Sequence, residues 1–404
     1  MRYLFRFSRL VALSLSFGSV SNMGSAAEPR VTDGLRSYVD KNILAGAVTV
    51  VSSPERTLAI DAVGYSDLIA RTPMRTDALF WIASMNKPIT ATAFMMLVDE
   101  GKARLDDPVE KYLPEYRNQM FVEKREKDRL ILKKPKHPIT VREVLSHTSG
   151  VVVRSPLERE LDMLPIREGV ITYALSPLNF EPGTKYEYSN GGINTVGRLI
   201  EVLSGRKYED FLQERLLTPL GMKDTTFWPS EEQIKRLAKS YHPNSRKDGL
   251  EETTITQLSY PLTDRKRHPY PAGGLFSTAE DIAIFGRMIL NGGAYQGTRY
   301  VSESAVKAMT STQTGSLLSK GKDENGYGLG FSTSRKSGGD HGPVIPGRCG
   351  HGGAYSTNLS IDPERKLVLV YMVQHAGYPG VDSGKVLDTF TRAAESIYGK
   401  TAGR

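Results

Sequence analysis

Hydrophobic positions change their period several times along the chain. Val, Ala and Ile crowd residues 44–64, broken at Ser52-Ser53-Pro54-Glu55-Arg56, the pattern of two strands joined by a turn. From Met85 the spacing becomes helical, with Phe94, Leu97 and Val98 near one face and a stop at Gly101. Over residues 119–138, Met120-Phe121-Val122 and Leu130-Ile131-Leu132 flank the charged run Glu123 to Arg129, which predicts a solvent-washed hairpin. Two stretches have the form of capping boxes. Thr140-Val141-Arg142-Glu143 starts a helix that ends in Ser146-His147-Thr148-Ser149-Gly150, with His147 closing the helix end. Ser277-Thr278-Ala279-Glu280 starts another, with Ile282, Phe285 and Ile289 on one face and a stop at Asn291-Gly292-Gly293. Residues 194–203 and 208–216 also read as helices. Beyond Gly293, Tyr327 to Phe331 opens a strand, 359–361 and 367–372 are strands around an Asp362-Pro363-Glu364-Arg365 turn, and a last helix covers 384–397.

Strands, then helices, then strands and a helix predict an α+β fold. Its mixed sheet is built from both chain ends, residues 28–83 and 294–404, with a mostly helical region, 84–293, inserted between them. The composition, 39% hydrophobic and 24% charged over 404 residues, is that of a globular protein and excludes collagen-like and disordered classes. One cysteine, Cys349, excludes an intramolecular disulfide and Cys-based zinc clusters, and is expected to be a small buried thiol.

The first 27 residues stand apart. Arg2, Arg6 and Arg9 precede a short apolar stretch, Leu10 to Val20, and small residues at Gly24, Ser25, Ala26 and Ala27. That is the layout of an export signal, so a periplasmic or secreted domain over 28–404 is expected, without stable membrane insertion. Removing those three arginines lowers the net charge from +8 to 8 − 3 = +5. No basic stripe is interleaved with aromatics, so nucleic acid is not an expected partner. A small-molecule or peptide substrate, including one derived from the cell wall, is.

Several common sites are excluded by inspection: there is no Gly-x-Ser-x-Gly elbow, His-Glu-x-x-His motif, phosphate loop or dinucleotide fingerprint. The seven histidines have no metal-ligand spacing. Ser84-Met85-Asn86-Lys87 opens the first strong helix after an apolar approach, Ala78 to Ile82. Three residues apart on a helix, Lys87 can reach the Ser84 hydroxyl, and a helix start presents N–H groups to an oxyanion. Ser-x-x-Lys also occurs at Ser204, Ser304 and Ser319, none at a helix start of this kind. Tyr188-Ser189-Asn190 precedes Gly191-Gly192 and a helix; nearby ammonium groups are expected to lower the phenol's pKa, and the amide can hold a substrate amide. His351-Gly352-Gly353-Ala354 is expected to lead into a strand whose edge admits substrate backbone and whose N–H completes an oxyanion hole. Tyr116-Arg117-Asn118, Lys336-Ser337-Gly338 and His375-Ala376-Gly377 are weaker alternatives for these two roles.

In that order and spacing, Ser84-x-x-Lys87, Tyr188-x-Asn190 and His351-x-Gly353 resemble the serine β-lactamase and penicillin-binding-protein superfamily. The tyrosine is similar to the class C β-lactamase and D-Ala-D-Ala carboxypeptidase branch. Leu145 to Gly150, Ala272 to Thr278 and Tyr327 to Phe331 support the resemblance, which covers about Val31 to Tyr398. It implies a β-lactamase/transpeptidase-like fold and a two-step acyl transfer with no metal or organic cofactor. In it Ser84 is the nucleophile and Lys87 and Tyr188 share the proton transfers. The Ser84 and Ala354 N–H groups hold the oxyanion, Asn190 orients the substrate, and His351 and Gly353 bind it. Many relatives of this kind carry Lys-Thr-Gly or Lys-Ser-Gly where this chain has His351-Gly352-Gly353, and Gly352 removes the hydroxyl that engages a substrate carboxylate. The resemblance leaves an ester, an amide or a D-amino-acid peptide as substrate, with a β-lactamase, a DD-carboxypeptidase or a penicillin sensor acylated without turnover as alternatives.

Overall fold

Strands that are buried at every position, rather than at every second one, lie between two covered faces. The strands β1 (Gly46–Ser52) and β8 (Leu367–Met372) are of this kind: every residue in both is buried. A computed structural model describes residues 29–318, 325–334, 347–381 and 383–399. The export-signal segment and the alternative motifs at Ser319 and Lys336 lie outside the described residues.

The two central strands pair antiparallel in the middle of an eight-stranded sheet, with Val48 opposite Met372 and Val50 opposite Val370. β2 (Thr57–Asp67) and β3 (Thr72–Pro73) extend it on one side. On the other side lie β7 (Asn358–Asp362), β6 (Cys349–Gly352), β5 (Ser332–Ser334) and β4 (Asn325–Tyr327), each antiparallel to its neighbour. The sheet is therefore made by the two ends of the chain, as expected, but it is antiparallel throughout rather than mixed, with the order β4-β5-β6-β7-β8-β1-β2-β3.

Alternate side chains of the central strands separate two apolar layers. Ala47, Val51, Leu367, Leu369 and Tyr371 pack with α1 (Asp33–Asp40) and the last helix, α7 (Ser383–Tyr398). Val48, Val50, Val368, Val370 and Met372 face the larger core, reached first by α6 (Ala279–Leu290) and then by α2 (Asn86–Asp99). α2 is not the one-faced helix that its spacing predicts. Asn86 to Leu97 are all buried, because α2 is covered on every side, with α5 (Asn190–Ser204) its chief helical neighbour.

Local rules place most other boundaries. Thr140 and Glu143 form the expected reciprocal cap of α3 (Val141–Leu145). At α6 the cap lies one residue later than expected: Thr278 accepts from the Asp281 N–H, while Ser277 is a strand residue bonded to Thr225. The helix starting at Tyr208 continues beyond 216 to Leu220 through a wide π turn, Gln213–Leu217. Pro219 lacks an N–H and crowds the preceding turn, and a π turn relieves both. The expected hairpin is present as Phe121–Arg125 and Leu130–Lys133. The helix α4 (Ile166–Leu175) and the hairpin Ser240–Pro243 with Leu250–Thr253 were not legible in the hydrophobic pattern. Among the described residues no helix is long and apolar enough to cross a membrane.

Candidate active site

The serine motif sits where a short extended segment is bent sharply into α2. Phe80–Trp81 pairs with Phe276–Ser277, the Ile82 N–H donates to the Leu275 carbonyl, and the Trp81 indole N–H donates to the Gly273 carbonyl at 2.8 Å. The chain then turns through Ala83 at φ 46°, a left-handed conformation that costs a residue with a side chain about 1–3 kcal/mol. Ser84 follows in a single 3-10 turn, Ala83–Met85, that feeds α2. Among the described residues its N–H has no protein acceptor.

Lys87 Nζ lies 3.0 Å from Ser84 Oγ and donates to the Ala272 carbonyl at 2.6 Å. The side chain is fully buried and faces no carboxylate among the described residues. Burial without a counter-charge penalises the ammonium form, and the Lys87 pKa falls well below its ordinary value. A neutral amine there can accept the Ser84 proton. The Ala272 peptide is itself clamped, since its N–H donates to Asn194 Oδ1 at 3.0 Å. Asn86 and Thr90 donate to the neighbouring carbonyls of Tyr270 and Pro271. The segment Tyr270 to Gly274 thus aligns the start of α2 through its carbonyl groups.

Tyr188 precedes α5, whose N-cap Ser189 accepts from the Gly192 N–H and donates to the Val152 carbonyl. The helix begins at Asn190, four residues earlier than its pattern predicts. Gly191 permits this start, since a Cβ there would lie 2.3 Å from the Val152 oxygen. Lys87 Nζ lies 4.7 Å from the centre of the Tyr188 ring. The phenol's pKa moves opposite to the sequence expectation. Burial raises it, hydrogen bonding with Ser84 offsets only part of the shift, and Lys87, pushed towards neutrality, supplies no compensating charge. Tyr188 is therefore held protonated. Asn190 Oδ1 is buried and, among the described residues, has no protein partner, an unsatisfied acceptor at the helix start.

The third motif lies at the exit of a strand, not at its entrance. β6 ends at Gly352, and a turn follows in which the Gly353 N–H donates to the Thr357 carbonyl and Thr357 Oγ1 donates to the Ile82 carbonyl. Gly353 has no room for a side chain: a Cβ would lie 2.1 Å from Thr357 Oγ1 and 2.4 Å from the Ile82 oxygen. The turn is thereby docked on the residues just before Ser84. Ala354 is exposed, and among the described residues its N–H has no protein acceptor.

His351 is buried, and both ring nitrogens are engaged. A carbonyl only accepts, so Nδ1 carries a proton and donates to the Gly352 oxygen at 2.7 Å, while Nε2 accepts from the Tyr327 hydroxyl at 3.0 Å. Burial lowers its pKa to about 3. A cleft of about 450 Å³ opens beside it, with Tyr186, Tyr327, Gly352 and Asn358 among its lining.

Three aromatic residues complete the site without having been singled out for it. His147, Tyr186 and Tyr327 form a cluster with Tyr188 and His351. The turn Gly328 to Phe331, tied to α3 by the Gly330 N–H to the Leu145 carbonyl, presents Tyr327. The alternatives fall elsewhere. Tyr116 is buried on Thr195, Ser204 donates back to Ile200 at the end of α5, and His375 Nε2 accepts from the Ala45 N–H. Cys349 is a free buried thiol whose pKa burial raises to about 12.

Comparison with known proteins agrees with this architecture. The chain is 32% identical over 370 residues to Protein Rv1367c of Mycobacterium tuberculosis, covering 86% of this chain and 90% of that one. It is 30% identical over 265 residues to Esterase EstB of Burkholderia gladioli, covering 59% and 64% of the two chains. Among solved structures, EstCE1, a hydrolase with promiscuous acyltransferase activity, superposes with a TM-score of 0.77 at 21% identity, over 90% of this chain and 97% of that one. Residues 32–389 match the β-lactamase family, and the chain belongs to that family of serine hydrolases.

Proposed function

We propose that the protein is an exported hydrolase that cleaves esters of uncharged acids through an acyl-enzyme on Ser84. The observation that carries the chemistry is the 3.0 Å contact between Ser84 Oγ and a buried lysine with no carboxylate beside it. Lys87 takes the Ser84 proton as Oγ attacks the carbonyl carbon. The free N–H groups of Ser84 and Ala354 receive the oxyanion. Tyr188, held protonated, gives its proton to the departing alkoxide, and Lys87 returns one to the phenolate. Water then attacks the acyl-enzyme, releasing the acid and restoring Ser84. The unsatisfied Asn190 Oδ1 accepts from the substrate, and the Gly353 turn keeps the Ala354 N–H in place.

The preference for an uncharged acid rests on the third motif. His351 is neutral, with both nitrogens committed to protein partners, and Gly352 has no hydroxyl. Neither offers a substrate carboxylate the charge or the donor that a lysine and a threonine would. The resemblance to an esterase supports the same reading, and the basic, apolar and small-residue pattern of residues 1–27 supports export.

Intact-protein mass spectrometry with an activated short-chain ester and, separately, a penicillin tests this. The ester is expected to give a transient adduct and steady product release, both abolished in Ser84→Ala, with turnover reduced by about 10⁴-fold or more. A persistent penicillin adduct with no ester turnover would overturn it in favour of a peptidase or sensor.

A further inference from the structure

We propose that His147 is a positioning residue for Tyr188, holding the phenol over Ser84 and Lys87 by clamping the backbone on both sides of it. The inference rests on the reading of Tyr188 as the proton donor. His147 accepts two hydrogen bonds from one short stretch: its carbonyl takes the Glu187 N–H at 3.0 Å and its Nδ1 takes the Ser189 N–H at 3.1 Å. Tyr188 lies between those two donors. The imidazole also packs on the phenol itself, with ring centroids 4.5 Å apart, and at the same distance on Tyr327, whose hydroxyl is bonded to His351. One residue therefore fixes the main chain of Tyr188, one face of its ring, and the wall that joins it to β6.

Closing the helix does not explain the imidazole. His147 has φ 62°, and a residue present only for that turn would be Gly or Asn, which adopt it at little cost. The ring also brings a penalty. Because Nδ1 accepts, the neutral ring carries its proton on Nε2, and Nε2 is buried with no partner among the described residues. A buried unpaired donor is kept only where something else requires the group. Here the requirement is an acceptor at the Nδ1 position together with a flat surface against Tyr188.

The test compares kcat and KM for a neutral ester, per active site counted with a covalent fluorophosphonate label, so that any unfolded fraction drops out. His147→Gly suits the backbone angle and His147→Leu fills the volume, but neither has an acceptor. Both are expected to lower kcat about 100-fold with KM within about threefold, the loss typical of a misplaced catalytic group. His147→Asn restores an acceptor and adopts the same angle, and is expected to recover at least about tenfold of that loss. Equal losses in all three variants, or Gly and Leu variants within about threefold of wild type, would overturn the proposal. Tyr188→Phe is measured alongside. If it turns over at the wild-type rate, the role of Tyr188 fails. If it is slow while the His147 variants are fast, only the positioning role fails.

Discussion

The two sides of the candidate site are built on opposite plans. On the serine side, the protein's own polar groups leave reactive atoms available: Ser84 Oγ beside a buried lysine whose ammonium form is penalised, a Ser84 N–H with no acceptor among the described residues, and backbone carbonyls that only orient the helix start. On the strand side, the polar side chain is used up internally. His351 gives one nitrogen to Gly352 and the other to Tyr327, and what remains for a substrate is backbone, the Ala354 N–H held by the Gly353 turn. On the proposed reading, proton transfer thus rests on side chains beside Ser84, while the strand side contributes main chain, the Ala354 N–H, to the oxyanion hole. Substitutions on the first side should remove turnover, and those on the second should remove it only where they move backbone.

With Ser84 itself left in place, Lys87→Met gives the largest expected effect on this comparison. Methionine fills the buried volume without an amine, and kcat is expected to fall by about 10³-fold, within the range for losing a general base, with the melting temperature unchanged or raised. Stability does not suffer because a buried amine is replaced by an apolar chain, at the price of one bond to Ala272. Turnover within about tenfold of wild type would move the base elsewhere. Gly353→Ala should come next. Its Cβ has to displace Thr357 or Ile82, so the turn shifts, and both kcat and stability are expected to fall, by about 100-fold and about 1–3 kcal/mol. If ester kinetics and thermal melting both match wild type, the Gly353 turn does not fix the oxyanion donor.

The same contrast explains what could be read in advance. The strands at both ends of the chain were visible because the central strands carry runs of apolar residues rather than an alternating pattern, and the resemblance named Ser84, Lys87, Tyr188 and the third motif in chain order. Their surroundings were not visible. That α2 is covered on all sides, that Ala272 supplies the carbonyl for Lys87, and that His147 lies against Tyr188 are facts about contacts between segments far apart in the chain, 42 residues for the His147 bond to Ser189 and 185 for the Lys87 bond to Ala272. Hydrophobic period carries no information on such contacts. The wrong sign expected for Tyr188 has the same origin: a neighbouring lysine lowers a phenol's pKa only if it stays charged, and burial decides that. Capping was legible where one box stood alone, at Thr140, and slipped by a residue where Ser277 and Thr278 both fitted.

Gly352→Ser makes the smallest change and examines the strand side most closely. A Cβ at this position would lie 3.6 Å from Asn358 Nδ2 and from the Thr357 oxygen, ordinary contact distances, so the fold accepts it and the Gly353 turn stays in place. The serine adds a hydroxyl donor where this chain has none. One neutral hydrogen bond contributes about 0.5–1.5 kcal/mol net, equivalent to about two- to tenfold in binding. For an activated ester bearing a free carboxylate, KM is expected to fall by about that factor, while kcat/KM for the uncharged analogue stays within about threefold. A parallel gain on both esters would show that the hydroxyl improves the site without reading charge. No gain on the carboxylate ester would place substrate recognition away from the strand.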